Sequence, residues 1–276
     1  MKNSRTQKMI IYENGTFQQI EQAFILEEPL SIRIEGKPYS VVMRTPGDEL
    51  AHAAGFCLAE GLVERPEDFA TLGYCTEDGV NVVTATLVPE RRKKVRNLLN
   101  RQGFMSQTSC GICGKELLAD LYQIVKPVGN TVKMTIDQAK ECVQRLSEHQ
   151  ELYALTGSSH AAMVFDRHVE PMTWAEDVGR HNALDKAIGK AFMNNDLASL
   201  RVAAMSSRLS FELVQKAARA GLEIMISMSR PTALAVELAA SLNMTLACIG
   251  KKKGFMLFCG SERFSIPHSL PSYVTG

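Results

Sequence analysis

The final third of the chain alternates short apolar runs with amphipathic segments, and this order constrains the fold more than any other feature of the sequence. Apolar runs predict three strands, at 200–205, 222–228 and 244–249. Apolar residues at helical spacing predict two helices between these strands, at 211–220 and 233–242. A strand–helix–strand–helix–strand order implies parallel neighbouring strands with right-handed crossovers. Segment 254–259 predicts one more strand. We therefore expect an α/β fold built around a largely parallel sheet.

The N-terminal part shows a different pattern. Segments 31–35 and 39–43 alternate on either side of Gly36, which predicts a β-hairpin. Thr45 followed by Pro46 predicts the start of a helix, with threonine as the N-cap and proline in the first turn. These elements indicate a mixed α+β arrangement rather than a continuation of the parallel sheet.

The chain has 276 residues and is 45% hydrophobic, which is enough for one large domain or two small ones. Pro127 and Gly129 interrupt the helical pattern and mark a domain boundary. We predict an N-terminal α+β domain over 1–128 and an α/β domain over 129–276.

Charge and cysteine content narrow the class of protein. The chain carries 31 basic and 30 acidic residues, so nothing demands nucleic acid as a partner. No apolar stretch approaches the ~18 residues of a membrane span, so no membrane association is expected. The seven cysteines are odd in number and no secretion signal precedes them. We therefore expect a cytoplasmic protein with free thiols.

Cys110 and Cys113 form the sharpest local signal for chemistry. They lie in a loop of small and polar residues directly before a predicted helix, where the helix dipole favours a thiolate. Zinc binding would need about four ligands, and the other cysteines form no second pair. A dithiol redox pair, a persulfide carrier and an inert pair also remain open, because spacing alone does not choose among them.

Two serine–arginine segments follow predicted parallel strands. Ser207 and Arg208 follow the first strand, and Ser229, Arg230 and Thr232 follow the second. In an open α/β sheet such segments lie side by side at the ligand-binding edge. Hydroxyls, arginines and helix N-termini suit phosphate groups, although ordinary helix capping explains either segment alone. The sequence contains neither a glycine-rich dinucleotide motif nor a Walker motif, which argues against the usual modes of dinucleotide and ATP binding.

A third signal is the charged run at 177–186. Gly179, Arg180 and His181 stand at the start of a predicted helix within this run. That placement suits an anion or a general acid or base, while a solvated helix face is the alternative.

Taken together, these segments resemble the FdhD family, the formate dehydrogenase accessory sulfurtransferases. The matching segments span nearly the whole chain: 45–48, 60–61, 110–114, 156–162, 177–186, 207–212 and 229–232. The run at 177–186 is long and specific, whereas the paired cysteines alone would not identify the family.

The resemblance implies a sulfur-transfer function. Such a protein takes sulfur from a cysteine desulfurase and passes it to a molybdenum cofactor with two pterin guanine dinucleotides, which formate dehydrogenase requires. The persulfide position corresponds to Cys110, with Cys113 as its assisting partner. The molybdenum cofactor is then bound as cargo, and no structural metal is expected. The alternative is a chaperone that only holds the cofactor, with structural or redox cysteines.

The resemblance also implies a three-layer main domain similar to cytidine deaminases, with a smaller N-terminal α+β domain. The zinc signature of the deaminases is missing from this sequence, which argues against zinc hydrolysis. A cofactor-binding strand corresponds to Phe255, Met256, Leu257, Phe258, Cys259 and Gly260. A homodimer is the expected oligomeric state.

Overall fold

The strands form three separate sheets. The computed structural model describes residues 3–99, 125–250 and 254–265, so Cys110 and Cys113 lie outside the described residues. The strands are β1 (Ser4–Glu13), β2 (Thr16–Ile25), β3 (Glu28–Ile34), β4 (Lys37–Arg44), β5 (Phe69–Glu77), β6 (Val80–Leu87), β7 (His160–Phe165), β8 (Pro171–Asp177), β9 (Val202–Arg208), β10 (Ile224–Ser229), β11 (Thr245–Gly250) and β12 (Gly254–Cys259).

The helices of the described residues are mostly short. They are α1 (Glu49–Ala59), α2 (Pro89–Lys94), α3 (Arg96–Leu99), α4 (Ile136–Glu148), α5 (Glu151–Thr156), α6 (Arg180–Met193), α7 (Phe211–Arg219) and α8 (Ala233–Ser241). None of these helices combines the length and the apolar character that crossing a membrane would require.

The largest sheet has six strands in the order β12-β11-β10-β9-β7-β8. Strands β9, β10 and β11 are parallel and are joined by α7 and α8, as the sequence predicts. Strand β12 pairs antiparallel with β11, and β7 pairs antiparallel with both β8 and β9. Helix α4 packs on one face, and α6, α7 and α8 pack on the other. The predicted α/β class is therefore confirmed as a mixed α/β fold.

The N-terminal elements form a four-stranded sheet and a separate two-stranded ribbon. The four-stranded sheet has the order β4-β3-β6-β5, and β1 pairs only with β2. The predicted hairpin is confirmed as β3 and β4, with its turn at Glu35 and Gly36, which both have positive φ.

Helices α1 and α6 cross at very close range. A Cβ atom built on Gly55 would lie 2.0 Å from the Asp185 carbonyl oxygen, and one on Gly189 would lie 1.8 Å from that of Ala51. Glycine at both positions lets the two backbones meet. One hydrophobic cluster runs from β3 through this crossing to α7. The predicted domains, 1–128 and 129–276, therefore share a core, and their division stays a prediction.

One local prediction is wrong, and one strand was not predicted. Thr45 does not cap α1, which begins at Glu49, because Gly47 and Asp48 adopt left-handed backbone conformations and turn the chain first. The segment before Gly179 contains β8, a strand that the sequence pattern does not indicate. In β8 the buried positions include Thr173 and Asp177, so the alternation of a strand is hidden among polar residues.

Candidate functional site

The two serine–arginine segments lie side by side at the carboxyl ends of β9 and β10. Ser229 is paired with Arg208 in the parallel ladder, and the Thr232 amide donates to the Leu209 carbonyl oxygen at 3.0 Å. Both Arg208 and Ser229 are the last residues of their strands rather than loop residues. The predicted proximity of the two segments is therefore confirmed.

The start of α6 joins the same edge. His181 Nε2 lies 2.9 Å from Glu212 Oε2 and 3.2 Å from Ser210 Oγ, which stands at the N-terminus of α7. Arg180 and His181 at the start of α6, Arg208 at the end of β9 and Arg230 directly after β10 thus lie at the same end of the sheet. We call these four residues the arginine edge.

Not every predicted side chain is free to meet a ligand there. Ser207 is buried and its hydroxyl donates to the Arg208 carbonyl oxygen at 3.2 Å. Thr232 caps α8, since its Oγ1 accepts from the Ala235 amide at 3.2 Å. The capping alternative therefore accounts for Thr232, whereas Arg208 and Arg230 remain exposed.

The arginine edge is cationic and one of its groups is unsatisfied. The Nε atom of Arg180 is buried and has no hydrogen-bond partner among the described residues. Glu212, a carboxylate in contact with His181, has its pKa lowered by the hydrogen bond from His181 and then by the charges of His181, Lys216 and Arg180, while partial burial opposes this.

His160 also lies at this edge. It is the first residue of β7 and pairs with Asp177, next to the arginine edge. Burial lowers its pKa, the charges of Arg180 and His181 lower it further, and Asp177 acts in the opposite direction. His160 therefore favours the neutral form. Only its place in the motif at 156–162 could have marked it in advance.

A family model for the FdhD/NarQ family matches residues 25–265. The chain belongs to this family. The match spans β3 to the last described residue, including every element that contributes to the arginine edge.

Curated relatives are similar over nearly their whole length. The sulfur carrier protein FdhD of Streptomyces coelicolor is 36% identical over 269 residues, covering 94% of this chain and 95% of that protein. The protein of the same name from Mycobacterium tuberculosis is 34% identical, covering 88% of this chain and 92% of its own length.

One solved structure shares the fold. It comes from Desulfotalea psychrophila and is described as a formate dehydrogenase accessory protein. The TM-score is 0.75, with coverage of 95% of this chain and 99% of that chain. The sequence identity is 21%, so this likeness concerns the fold alone. The similarity to cytidine deaminases stays an expectation.

In this FdhD/NarQ chain, the charged run at 177–186 contains a buried ion pair as well as two residues of the arginine edge. Asp177 and Lys186 are almost fully buried and form an ion pair at 2.7 Å. The Asp177 carboxylate also accepts from the amides of Thr45 and Gly179, at 3.1 and 2.8 Å. Lys186 Nζ donates in addition to the Thr45 carbonyl oxygen at 2.7 Å. Asp177 and Lys186 therefore connect the segment before α1 to α6. Because both side chains are buried, neither residue lies on a solvated helix face.

Gly179 positions the residues that follow it. It is the N-cap of α6, and a Cβ atom there would lie 2.7 Å from the Asn182 side-chain nitrogen. The side-chain amide of Asn182 donates to Asp177 and to the Met43 carbonyl oxygen. The contacts of Gly179 and Asn182 therefore fix the position of the first helical residues, Arg180 and His181.

The predicted cofactor-binding strand lies only partly at this edge. Strand β12 runs antiparallel to β11, so its first residues stand at the carboxyl end of the parallel strands. Cys259 pairs with Leu246 near the opposite end, and the Gly260 carbonyl oxygen accepts from Thr245 Oγ1 at 2.7 Å. The structure thus brings Phe255 toward the edge and places Cys259 and Gly260 away from it.

None of the cysteines in the described ranges is an activated thiol. Burial raises the pKa of Cys142 to about 12, and it raises those of Cys57, Cys248 and Cys259 as well. The pKa of the exposed Cys75 is also raised, by desolvation and by Glu77. A raised pKa leaves less of the nucleophilic thiolate. Cys57 and Cys142 are completely buried in the hydrophobic core.

Proposed function

We propose that this chain is a sulfur carrier that supports the maturation of formate dehydrogenase. It accepts sulfur from a cysteine desulfurase as a persulfide on Cys110 and passes it to a molybdenum cofactor bearing two pterin guanine dinucleotides. Its membership of the FdhD/NarQ family, whose curated members are named sulfur carrier proteins, supports this role.

The chemistry requires a nucleophilic thiolate. The Cys110 thiolate attacks the outer sulfur of a persulfide on the desulfurase, a new S–S bond forms, and the desulfurase thiolate leaves. In the second transfer, a nucleophilic site of the acceptor supplies an electron pair to the outer sulfur of the Cys110 persulfide, so that an acceptor–sulfur bond forms, the S–S bond breaks and the Cys110 thiolate leaves. A low pKa at Cys110 assists this second step because it makes a better leaving group. The raised pKa values of the five described cysteines support the assignment to the CxxC pair.

The observation that carries the cargo assignment is the arginine edge. Arg180, Arg208 and Arg230 lie near the carboxyl ends of the parallel strands, where open α/β sheets bind ligands. The N-termini of α7 and α8 are at the same edge and favour negative charge. The pyrophosphate groups of the guanine dinucleotides are anions of the kind that such an edge binds.

Binding of GDP to the Arg208→Ala variant tests this assignment. One charge-assisted hydrogen bond is worth about 1.5–3 kcal/mol, so the variant should bind GDP roughly 10- to 100-fold more weakly by calorimetric titration. Arg208 is exposed and outside the core, so folding should be unchanged. Arg167→Ala is the matched control, because Arg167 is exposed in the turn that follows β7, at the opposite edge of the sheet.

Equal GDP affinity in wild type and Arg208→Ala would place the phosphates elsewhere. A variant that loses sulfur loading together with GDP binding would also contradict the proposal, because loading from the desulfurase does not involve the cargo. Cys110→Ala separates a carrier from a chaperone, since it should abolish formate dehydrogenase activation while retaining GDP binding. Full activation by Cys110→Ala would favour the chaperone.

A further inference from the structure

Helices α2 and α3 carry a local concentration of positive charge. Five of the six residues at 91–96 are basic, whereas the whole chain has a net charge of +1. Lys93, Lys94 and Arg96 are exposed and form no ion pair with the residues that the structure describes. We call these three residues the basic patch. Its charge is uncompensated within the described part of the chain.

The basic patch stands on a buried support. Arg91 is buried, and its guanidinium donates to the carbonyl oxygens of Leu62 and Gly61 at 2.8 Å each. The same guanidinium pairs with Glu64 at 2.8 Å. Val95, which lies between the residues of the patch, is buried as well. Helices α2 and α3 are therefore fixed against the turn that follows α1, and the patch lies on their solvent-exposed side.

A cavity of about 390 Å³ adjoins this support. It is lined by Glu64, the partner of Arg91, and by Arg65, Arg201 and Arg219. Because the one carboxylate of Glu64 is already paired, the three arginines make the lining cationic. Cavities of about 300–1,000 Å³ are the usual size for binding a ligand, so there is room for acidic side chains of a partner.

The charge of Arg219 is the least compensated of the three. Arg65 Nε lies 3.5 Å from a carboxylate oxygen of Asp68. Arg201 Nε lies at the same distance from a carboxylate oxygen of Glu223. Arg219 forms no ion pair within the described ranges, and its Nε is buried without a hydrogen-bond partner there.

The electrostatic surroundings of Arg219 lead to the same conclusion. Burial lowers the pKa of Arg219, and the charge of Arg91 lowers it further, although Glu60 and Glu64 act in the opposite direction. The nearby carboxylates therefore do not offset the cost of burying this cation. A carboxylate brought by a partner would stabilise its charged form.

The patch and the cavity are distinct from the arginine edge. Arg219 lies in the last turn of α7, and a Cβ atom built on Gly61 would lie 2.7 Å from its Nη1. The first residues of α7 contact the arginine edge instead, since Ser210 and Glu212 both lie close to His181. The two cationic surfaces are therefore at opposite ends of α7.

We propose that the basic patch and the cavity beside it dock an acidic surface of the protein that donates sulfur to this chain. This inference rests on the proposed function and names the surface that its first transfer uses. Cys110 follows Leu99, the last residue of α3, by 11 positions, so the donor docks beside the segment that leads to the acceptor thiol. Complementary charge steers such encounters and raises association rates by about 10- to 1,000-fold.

Initial rates of sulfur loading from two donors test the proposal. One donor is a cysteine desulfurase supplied with cysteine. The other is cysteine persulfide, a small molecule whose outer sulfur is attacked by the Cys110 thiolate while the cysteine thiolate leaves. The reversal variant combines Lys93→Glu, Lys94→Glu and Arg96→Glu, and the neutral variant combines Lys93→Gln, Lys94→Gln and Arg96→Gln. All three positions are exposed, so both variants should fold normally, as circular dichroism would verify.

At low salt the reversal variant should load from the desulfurase about tenfold more slowly than wild type, with the neutral variant between them. In about 1 M salt, where the Debye length is about 3 Å, the three rates should converge. Loading from cysteine persulfide should be equal in all three, because no protein docks. The matched control combines Lys133→Glu, Lys140→Glu and Arg167→Glu: it changes the net charge equally at three exposed positions elsewhere and should load at the wild-type rate.

Arg219→Gln tests the cavity separately. The variant should raise by about tenfold the concentration of the chain that gives half-maximal loading from the desulfurase, because one charge-assisted contact to the donor is lost. Its loading from cysteine persulfide should equal that of wild type. An unchanged half-maximal concentration would remove the cavity from the docking surface and contradict the proposal as stated.

Other outcomes overturn the docking surface as a whole. These are a reversal variant that loads from the desulfurase at the wild-type rate at low salt, an equal loss in the matched control, and an equal loss with cysteine persulfide. Binding to phosphatidylserine vesicles that the reversal variant loses, with loading unchanged, would assign the patch to a membrane surface instead. Wild type that takes sulfur from neither donor would contradict the proposed function itself, whereas loading from cysteine persulfide alone would overturn only the docking.

Discussion

The buried Asp177–Lys186 pair gives the most direct test of how the structure holds its site. Lys186→Met keeps the bulk and the helix-forming character of the side chain but removes its charge. Asp177 is then left as a buried carboxylate without its cation, with an exposed fraction of zero. Breaking one partner of a buried ion pair costs about 3–5 kcal/mol.

The loss in free energy of unfolding that we expect for Lys186→Met lies toward the lower end of that range. In Lys186→Met the Asp177 carboxylate keeps three donors: the amides of Thr45 and Gly179 and the side chain of Asn182, at 3.1, 2.8 and 2.9 Å. These hydrogen bonds continue to stabilise the charge. The Thr45 carbonyl oxygen, however, loses its bond from Lys186. We therefore expect a loss of about 3 kcal/mol in the free energy of unfolding, measured by urea denaturation.

Lys190→Met is the matched control on the same helix. Lys190 pairs with Asp48 at 2.8 Å, but its side chain is 32% exposed, so its loss should cost under about 1 kcal/mol. The double variant Asp177→Asn with Lys186→Met should lose less than the sum of the two single variants, because no isolated charge remains buried. The reasoning would be refuted if Lys186→Met and Lys190→Met were destabilised equally.

Two further predictions concern pH and metal. The pKa of the fully buried His52 lies well below its ordinary value, because burial disfavours the charged form and the charges of Lys186, Lys216 and Arg44 lower the pKa further. The unfolded chain therefore binds a proton at His52 more readily than the folded protein does. The stabilisation from a neutral His52 is therefore complete above the unfolded pKa of about 6.5 and falls by about 1.4 kcal/mol for each pH unit below it. His52→Gln should flatten this acid dependence in urea unfolding measured from pH 7 to pH 5, and an unchanged slope would contradict the assignment. A chelator should leave the melting temperature unchanged, because the sequence holds one CxxC and no second cysteine pair to complete a zinc site. Stoichiometric zinc whose removal causes a large drop in melting temperature would contradict this prediction.

The parallel strands could be predicted because their residues are apolar almost without interruption. Strands β9, β10 and β11 are buried on both faces, and such runs are visible in a sequence without any knowledge of their partners. The proximity of Arg208 to Arg230 followed from the same order of elements, since sheet topology fixes where the carboxyl ends of strands lie.

The remaining features depended on contacts between distant parts of the chain. The burial of Asp177 rests on Thr45, 132 positions away, so the charged run could equally have been a solvated face. Strand β8 escaped prediction because two of its inward residues are polar and satisfied only in the folded protein: the Thr173 hydroxyl bonds the Ala187 carbonyl oxygen at 2.6 Å. His160 reaches the arginine edge only because β7 pairs with β8.

Peptide mass spectrometry after incubation of the full chain with a cysteine desulfurase and cysteine shows whether Cys110 carries sulfur. We expect one added sulfur on the peptide that contains Cys110, removable by a reductant and absent in Cys110→Ala. The buried Cys57 and Cys142 serve as internal controls, because burial raises the pKa of both thiols and they should remain unmodified. An unmodified Cys110, with sulfur found only on Cys57 or Cys142, would contradict the account.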